Sequence, residues 1–222
     1  MVARTALAPQ RGGPARFITL EGGEGAGKST QAKRLAAALS ARGIDVCSTR
    51  EPGGSTGAEQ IRQLLVEGEP GRWDPLTETL LMFAARADHL ARTIRPALAA
   101  GRWVLCDRFT DSTYAYQGAG RGLEAKTIAA IEAVSVSNLT PDLTLILDVP
   151  AATGLSRAGA RGDHDSRYER FDEAFHIRLR EFFHVLAQRE SNRCVPIDAS
   201  ASADDVAAQI WQIVSMRFRL GT

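Results

Sequence analysis

Apolar residues along the chain follow two alternating patterns. Short continuous apolar runs, rich in β-branched residues, predict strands at residues 17–20, 46–49, 103–106, 143–147 and 193–197. Between and after them, apolar residues recur with the 3.6-residue helical period at residues 29–42, 58–66, 77–99, 125–136, 151–159, 171–188 and 203–218. Strands that alternate with helices predict an α/β fold, with a five-stranded parallel sheet flanked by helices.

Two stretches fall outside this alternation. Residues 1–15 carry Arg4 and Arg11 but lack the apolar core of a signal peptide, and we expect a disordered leader before a single domain of residues 16–222. Residues 157–170 are rich in arginine and interrupt the helical period. We expect them to form a mobile flap between two helices, called the lid below.

Composition narrows the classes of partner. The chain has 27 Lys and Arg against 26 Asp and Glu, a net charge of +1 that gives no sign of nucleic acid or a membrane surface as partner. No segment has the ~20 apolar residues of a membrane span. Cys47, Cys106 and Cys194 lie far apart in apolar segments, so we expect buried thiols in a reducing cytoplasm rather than disulfides or a zinc site.

A glycine-rich loop follows the first predicted strand. Residues 22–29 read GGEGAGKS and match the P-loop pattern G-x-x-x-x-G-K-[ST] in its strand-to-helix context. Backbone N–H groups of such a loop converge on phosphate oxygens, while Lys28 neutralises the β- and γ-phosphates and the Ser29 hydroxyl reaches Mg²⁺. The motif predicts a three-layer P-loop NTPase fold. The expected ATP-binding residues of the loop are Gly22, Gly23, Glu24, Gly25, Ala26, Gly27, Lys28, Ser29 and Thr30.

Asp107 directly follows the apolar run 103–106. In P-loop proteins an acid at the end of a second strand presents its carboxylate to the metal or to its waters. Taken alone, an aspartate here could equally cap a buried strand. Combined with the P-loop, the pattern predicts that Ser29 and Asp107 bind Mg²⁺.

From Phe17 onward the chain resembles the bacterial thymidylate kinases. Besides the P-loop, the resemblance is carried by TREPGG at residues 49–54, LMFAAR at 81–86, DRF at 107–109, STYAYQG at 112–118, and PDL at 141–143 leading into LD at 147–148. It implies a nucleoside monophosphate kinase that transfers the γ-phosphoryl group of Mg·ATP to dTMP, giving dTDP and ADP for dTTP synthesis. It also implies a homodimer, with residues 197–200 beside the adenine of ATP.

The resemblance assigns residues to the phosphate and base of dTMP. Arg50 and Arg108 match the arginines that hold the phosphate of the monophosphate, and a guanidinium suits a phosphate dianion. Phe83 matches the residue that stacks on thymine, although periodicity alone would place it in the core. Arg86 matches the residue that donates a hydrogen bond to an exocyclic oxygen of the base.

Further matches concern the edge of the base and the sugar. Thr113 and Gln117 match positions that read the base edge, and Tyr116 matches a ring that crowds the 2′ position and so favours deoxyribose. Glu24 matches an acid near the sugar 3′-hydroxyl, and Glu51 matches one close to the substrate and the metal. A solvated carboxylate is the alternative for both glutamates.

Catalysis in such an enzyme depends on positioning and charge neutralisation. The attacking group is a phosphate oxygen of dTMP, so no general base is expected and none of the four histidines is assigned a role. Ala26 stands where some family members carry an arginine, so the lid must supply a cation from Arg157, Arg161 or Arg167, of which Arg161 aligns best. The expected catalytic residues are Lys28, Asp107, Arg108 and Arg161, and the ATP site includes Arg157 and Arg161.

Two other functions compete with this interpretation. A kinase for dUMP, dCMP or AMP could use the same scaffold, but the residues matched to the base argue against it. A P-loop switch or remodelling ATPase would need effector surfaces or further domains, whereas this chain has an arginine-rich lid suited to closing over a reaction.

Overall fold

A single parallel sheet forms the centre of the structure, a computed structural model that describes residues 14–160 and 167–221. The strands are β1 (Phe17–Glu21), β2 (Val46–Arg50), β3 (Trp103–Asp107), β4 (Leu143–Asp148) and β5 (Cys194–Asp198). They lie side by side in the order β2-β3-β1-β4-β5. The predicted strands and the predicted α/β fold are therefore confirmed, with strand ends that differ by one residue at most.

Helices connect the strands and cover the sheet. They are α1 (Lys28–Ser40), α2 (Thr56–Val66), α3 (Pro75–His89), α4 (Arg95–Ala99), α5 (Thr110–Thr113), α6 (Ala125–Val136), α7 (Ala151–Gly159), α8 (Glu173–Arg189) and α9 (Ala203–Phe218). The single helix predicted at 77–99 is divided by a π-helical turn, Leu90–Ile94. It also begins earlier, because the Asp74 side chain accepts hydrogen bonds from the N–H groups of Leu76 and Thr77.

Apolar side chains cover both faces of the sheet. On one face Ile18 packs in a cluster with Leu35 of α1 and Ile210 of α9, and on the other Phe17 packs in a cluster with Phe83 of α3. Each fully buried side chain of this size stabilises the fold by about 1.5–3 kcal/mol. Three layers result, with β1 buried along its whole length. The carboxyl ends of β1 and β3 therefore meet at one edge of a rigid sheet, and the P-loop and Asp107 lie there.

The segment after β3 differs from the prediction. No helix was expected between residues 107 and 125, yet α5 and a π-helical turn, Tyr114–Gly120, occupy most of it. Its buried residues are largely polar, so the segment lacks the apolar period from which helices were predicted. Four of them, Ser112, Thr113, Tyr116 and Gln117, line a cavity beside the P-loop.

Both ends of the predicted lid, residues 157–170, lie in regular secondary structure. Arg157 lies inside α7, and Arg167 and Tyr168 are buried in a short 3₁₀ turn, Arg167–Arg170. Residues 161–166, including the predicted catalytic Arg161, lie outside the described residues, as do residues 1–13 of the predicted leader. Among the helices that the structure describes, none is both long enough and apolar enough to cross a membrane.

Candidate active site

The P-loop between β1 and α1 packs tightly against its neighbours. Gly22 has φ +132° and Gly25 has φ +65°, values that side-chain-bearing residues rarely adopt. A Cβ atom on Gly22 would lie 2.3 Å from the Leu147 carbonyl oxygen, and one on Gly25 would lie 1.9 Å from the Gly154 carbonyl oxygen. Glycine is therefore required at both positions for the loop to curl against β4 and α7.

Lys28 places a buried cation inside this curl. Its Nζ donates hydrogen bonds to the carbonyl oxygens of Gly22 at 3.2 Å and Gly23 at 2.7 Å. Burial, and then the nearby Arg108 guanidinium, lower the pKa of Lys28 to about 8. The ammonium is still mainly protonated at pH 7, so it can neutralise an anion bound in the loop.

The two predicted metal ligands lie side by side. The Ser29 hydroxyl, in the first turn of α1, donates to Asp107 Oδ2 at 2.5 Å. Thr30, the last residue assigned to the ATP site, is exposed in the same turn. A hydroxyl and a carboxylate oxygen at a helix N-terminus form a hard-oxygen pair of the kind that Mg²⁺ prefers.

A cavity of about 300 Å³ opens beside the P-loop. It brings together the following predicted site residues: Glu24, Gly25, Gly27, Lys28, Ser29, Arg50, Glu51, Arg86, Asp107, Arg108, Thr113, Tyr116 and Gln117. These residues come from five separate stretches of the chain, 24–29, 50–51, 86, 107–108 and 113–117. Their convergence on one cavity is the main structural support for treating them as one site.

Arg108 links the P-loop to the cavity. Its Nη1 donates to the Gly22 carbonyl oxygen at 3.0 Å, and its Nη2 donates to Glu24 Oε1 at 2.9 Å. The Tyr116 hydroxyl donates to the same Glu24 oxygen at 2.7 Å. Burial alone would raise the pKa of Glu24, but the charges of Arg108 and Lys28 lower it to about 2. Glu24 is thus ionised and holds Arg108 and Tyr116 at the wall of the cavity.

Arg86 is almost fully buried and has one uncommitted donor. Its Nε donates to Glu51 Oε2 at 2.6 Å, and its Nη2 donates to the Phe109 carbonyl oxygen and to Thr113 Oγ1, both at 3.1 Å. Within the part of the chain that the structure describes, Nη1 has no hydrogen-bond partner although it is buried. An unpaired buried donor costs about 1–3 kcal/mol, and more when charged. A ligand oxygen in the cavity would remove that cost.

Phe83 does not line the cavity, so the prediction that it stacks on the base is wrong. The ring is 1% exposed and belongs to an apolar cluster with Leu90, Val104 and Phe109. Met82, one position earlier, lines the cavity instead. Both residues are helical neighbours of Arg86, and the Arg86 Cζ lies 4.6 Å from the centroid of the Phe83 ring. The Phe83 ring nevertheless packs into the core beside Phe109, whereas Met82 faces the cavity.

Arg50 and Glu51 line the cavity but are already paired. Arg50 Nη2 donates to Glu59 Oε2 at 3.0 Å on the exposed side, and buried Glu51 binds Arg86. Glu51 is therefore not the solvated carboxylate that was the alternative. Arg62 of α2 also lines the cavity and was missed, because nothing in its helical context marks an arginine as functional.

Thr113, Tyr116 and Gln117 are all buried and line the cavity. Gln117 Nε2 donates to Glu78 Oε1 at 2.7 Å, which fixes the orientation of its amide. None of the three is therefore a solvated side chain. Their predicted contacts with the base and the sugar stay predictions.

Comparison with known proteins identifies the family. Residues 20–210 match the family model described as "Thymidylate kinase". The thymidylate kinase of Caulobacter vibrioides is 58% identical over 92% of this chain and 98% of its own length, and that of Rhizorhabdus wittichii is 54% identical over 91% and 98%. The crystal structure of the Ehrlichia chaffeensis thymidylate kinase is 33% identical with a TM-score of 0.74, covering 91% of this chain and 99% of that one.

The chain belongs to the thymidylate kinase family. Thymidylate kinases phosphorylate dTMP, and the matched residues 20–210 contain every residue that lines the cavity. The implied kinase activity and the resemblance to this family are therefore confirmed.

Two of the three predicted lid arginines lie in the part of the chain that the structure describes, and their environments differ. Arg167 is fully buried, donates to the Leu65 carbonyl oxygen and pairs with Glu78, so the structure contradicts it as a lid cation. Arg157 donates to the carbonyl oxygens of Ala199 at 2.8 Å and Ser200 at 3.3 Å. That loop was expected to border the adenine, so Arg157 stays a predicted ATP-site residue. Arg161 lies outside the described residues.

His89 has a structural position rather than a catalytic one. It is fully buried, with Nδ1 3.0 Å from Glu51 Oε1 and Nε2 2.6 Å from Thr49 Oγ1. The Cys106 thiol lies near enough that its sulfur, the His89 ring and the Glu51 carboxylate could hold a metal ion. Because Glu51 is already neutralised by Arg86 and both His89 nitrogens have partners, the existing hydrogen bonds account for the cluster.

Proposed function

We propose that the cavity beside the P-loop binds dTMP and that the γ-phosphoryl group of ATP is transferred to it there, giving dTDP and ADP. The observation that supports this most directly is the unpaired, buried Arg86 Nη1 on a side chain that lines the cavity. Thymine offers a carbonyl oxygen to such a donor. In cytosine an amino group stands at the corresponding position, and two donors would face each other.

The cations of the cavity suit the two phosphate groups. Arg108, with Arg50 and Arg62, would hold the phosphate of dTMP, while the P-loop N–H groups and Lys28 would hold the phosphates of ATP. The P-loop and the cavity share Lys28 and Arg108 at their junction. A phosphate oxygen of dTMP held there can attack the γ-phosphorus in line, so positioning and charge neutralisation supply the catalysis.

We also propose Mg²⁺ as the metal that accompanies ATP. Ser29 and Asp107 would hold it, because the hydroxyl and carboxylate oxygens already lie 2.5 Å apart at the mouth of the P-loop. Bound there, the ion neutralises charge on the phosphate oxygens. Arg161 remains the proposed lid arginine.

Two further proposals concern the state of the protein. Leu76 and Leu80 of α3 and Val134 of α6 are exposed apolar residues on two helices that pack together, which supports a homodimer through this face. Free thiols at Cys47, Cys106 and Cys194 support a location in a reducing cytoplasm.

A coupled assay of ADP release tests the proposed reaction. With Mg·ATP present, release should depend on dTMP and should yield equal amounts of dTDP and ADP. ADP release at the same rate with no acceptor would instead indicate an ATPase of the switch or remodelling type.

Met82 and Phe83 provide a matched pair for testing how the base is held. Met82→Ala removes a side chain that lines the cavity, and the lost apolar contact should raise KM for dTMP by about 10-fold with little change in Tm. Phe83→Leu disturbs the core, so it should lower Tm with a smaller change in KM. Steady-state kinetics and thermal unfolding of both variants measure the two effects. The reverse pattern would restore Phe83 as the base-contacting residue.

A further inference from the structure

Glu21 is a buried acid that the proposed reaction does not use. It is the last residue of β1, lies directly before Gly22 and is fully buried. Its Oε1 accepts a hydrogen bond from the Phe109 N–H at 2.7 Å, and its Oε2 lies 2.5 Å from Ser112 Oγ. Both partners belong to the segment that follows Arg108. Glu21 is not among the residues that line the cavity, so it acts on that segment and not on a ligand.

Arg108 has a backbone conformation that needs support. Its φ is +73°, in the left-handed region that residues other than glycine seldom adopt and that persists only when surrounding contacts enforce it. The Arg108 N–H donates to the Leu20 carbonyl oxygen at 2.9 Å. Glu21 holds the next N–H, that of Phe109. Leu20 and Glu21, the last two residues of β1, therefore accept hydrogen bonds from two consecutive backbone N–H groups and hold the turn at Arg108.

The second carboxyl oxygen of Glu21 contacts the Arg108 side chain indirectly, through Ser112. Ser112 Oγ lies 2.5 Å from Glu21 Oε2 and also accepts a hydrogen bond from Arg108 Nη1 at 3.2 Å. The same Nη1 donates to the Gly22 carbonyl oxygen. One buried carboxyl group thus contacts both the backbone after Arg108 and a side chain that orients its guanidinium.

We propose that Glu21 is a positioning residue, whose two hydrogen bonds hold the Arg108 turn so that the guanidinium points at the phosphate of dTMP. The inference rests on the proposed role of Arg108 in the dTMP kinase reaction. It adds a residue to which neither the P-loop motif nor the resemblance assigns a role.

The protonation state of Glu21 determines which replacement residues can mimic its hydrogen bonds. Burial, and then the charge of Asp111, raise the pKa of Glu21 to about 8, against the opposing effects of its hydrogen bonds with Ser112 and Phe109 and the charge of Arg108. In its protonated form, which this shift favours, the carboxyl group presents one donor and one acceptor. Glutamine presents the same pair in the same shape, whereas methionine has a similar size and presents neither.

Glu21→Gln and Glu21→Met should therefore differ in kcat. We expect Glu21→Met to lower kcat by about 10- to 100-fold, since small misplacements of a catalytic group cost that much, and Glu21→Gln to stay within about 3-fold of the unmodified protein. KM for ATP should change little in both. Thr19→Val is the matched control, because it removes a buried hydroxyl bonded to Thr144 on the same strand and should leave kcat unchanged.

A double-mutant cycle with Arg108→Ala separates positioning from general loss of structure. In the Arg108→Ala background, Glu21→Met should cause no more than about a 2-fold further loss of kcat, because its effect passes through Arg108. Equal losses in both backgrounds would overturn the proposal, as would a Glu21→Gln variant as impaired as Glu21→Met.

Glu21→Asp keeps the carboxyl group but is too short to reach both partners, and it serves if Glu21→Met does not fold. Failure of both variants to fold while Thr19→Val folds would make Glu21 a purely structural residue and overturn the inference. If the unmodified protein did not phosphorylate dTMP, the proposed function would fail separately, and the variants would not be needed to show it.

Discussion

Lys28→Ala should lower kcat for phosphoryl transfer to dTMP by ~10³-fold or more while the protein remains folded. The Lys28 ammonium lies within the P-loop curl and is held by the carbonyl oxygens of Gly22 and Gly23. Truncation to alanine removes the charge that would neutralise the ATP phosphates, and alanine is a good residue for the first turn of α1. ADP release coupled to dTMP, with circular dichroism and thermal unfolding on the same sample, measures both effects.

Lys33→Ala is the control for this variant. Lys33 lies on the same helix but is exposed, so its loss should leave kcat within about 2-fold of the unmodified protein. Near-normal turnover in folded Lys28→Ala would show that phosphoryl transfer does not depend on the P-loop lysine.

Replacing Arg86 should have the second-largest effect, and the effect should depend on the base. Arg86→Ala removes the donor proposed to bind the thymine carbonyl, so kcat/KM for dTMP should fall by ~10²-fold or more. The loss for dCMP should be much smaller, because an arginine donor facing an amino group contributes nothing favourable. The ratio of the two kcat/KM values should therefore shrink.

The stability of this variant must be measured as well. Arg86 pairs with buried Glu51, and loss of one partner of a buried ion pair costs about 3–5 kcal/mol. The ratio of dTMP to dCMP activity is independent of the fraction of folded enzyme, so it isolates base recognition. Arg86→Lys provides the matched control, since it keeps the charge beside Glu51 but loses the planar fork of donors. An unchanged ratio in both variants would contradict the role assigned to Arg86.

Features governed by short-range pattern could be predicted from the sequence. The central strands β1, β3 and β4 are mainly apolar because both of their faces are covered. The P-loop is recognisable because Gly22 and Gly25 occupy positions that only glycine can fill. The helical segment Tyr114–Gly120 was missed for the opposite reason. Its buried residues are Ala115, Tyr116, Gln117 and Gly120, of which Tyr116 and Gln117 line the cavity, and no apolar period marks the segment.

Features that depend on long-range contacts could not be predicted from the sequence. Phe83 and Met82 differ by one position on α3, and only the packing of that helix on the sheet determines which of them lines the cavity. Arg167 lies in an arginine-rich stretch that suggested a lid, but Glu78, 89 positions earlier in the chain, binds it in the interior. Glu21 and Phe109 are likewise 88 positions apart. Pairings at such separations depend on the complete fold.

The relative use of dTMP and dCMP by the unmodified protein tests the central claim most directly. Steady-state ADP release should give a kcat/KM for dTMP at least ~10-fold above that for dCMP, because a buried charged donor facing an amino group is left unpaired. dUMP, which lacks only the 5-methyl group, should be a detectable but poorer substrate than dTMP. Equal kcat/KM values for dTMP and dCMP would contradict the account of base recognition by Arg86.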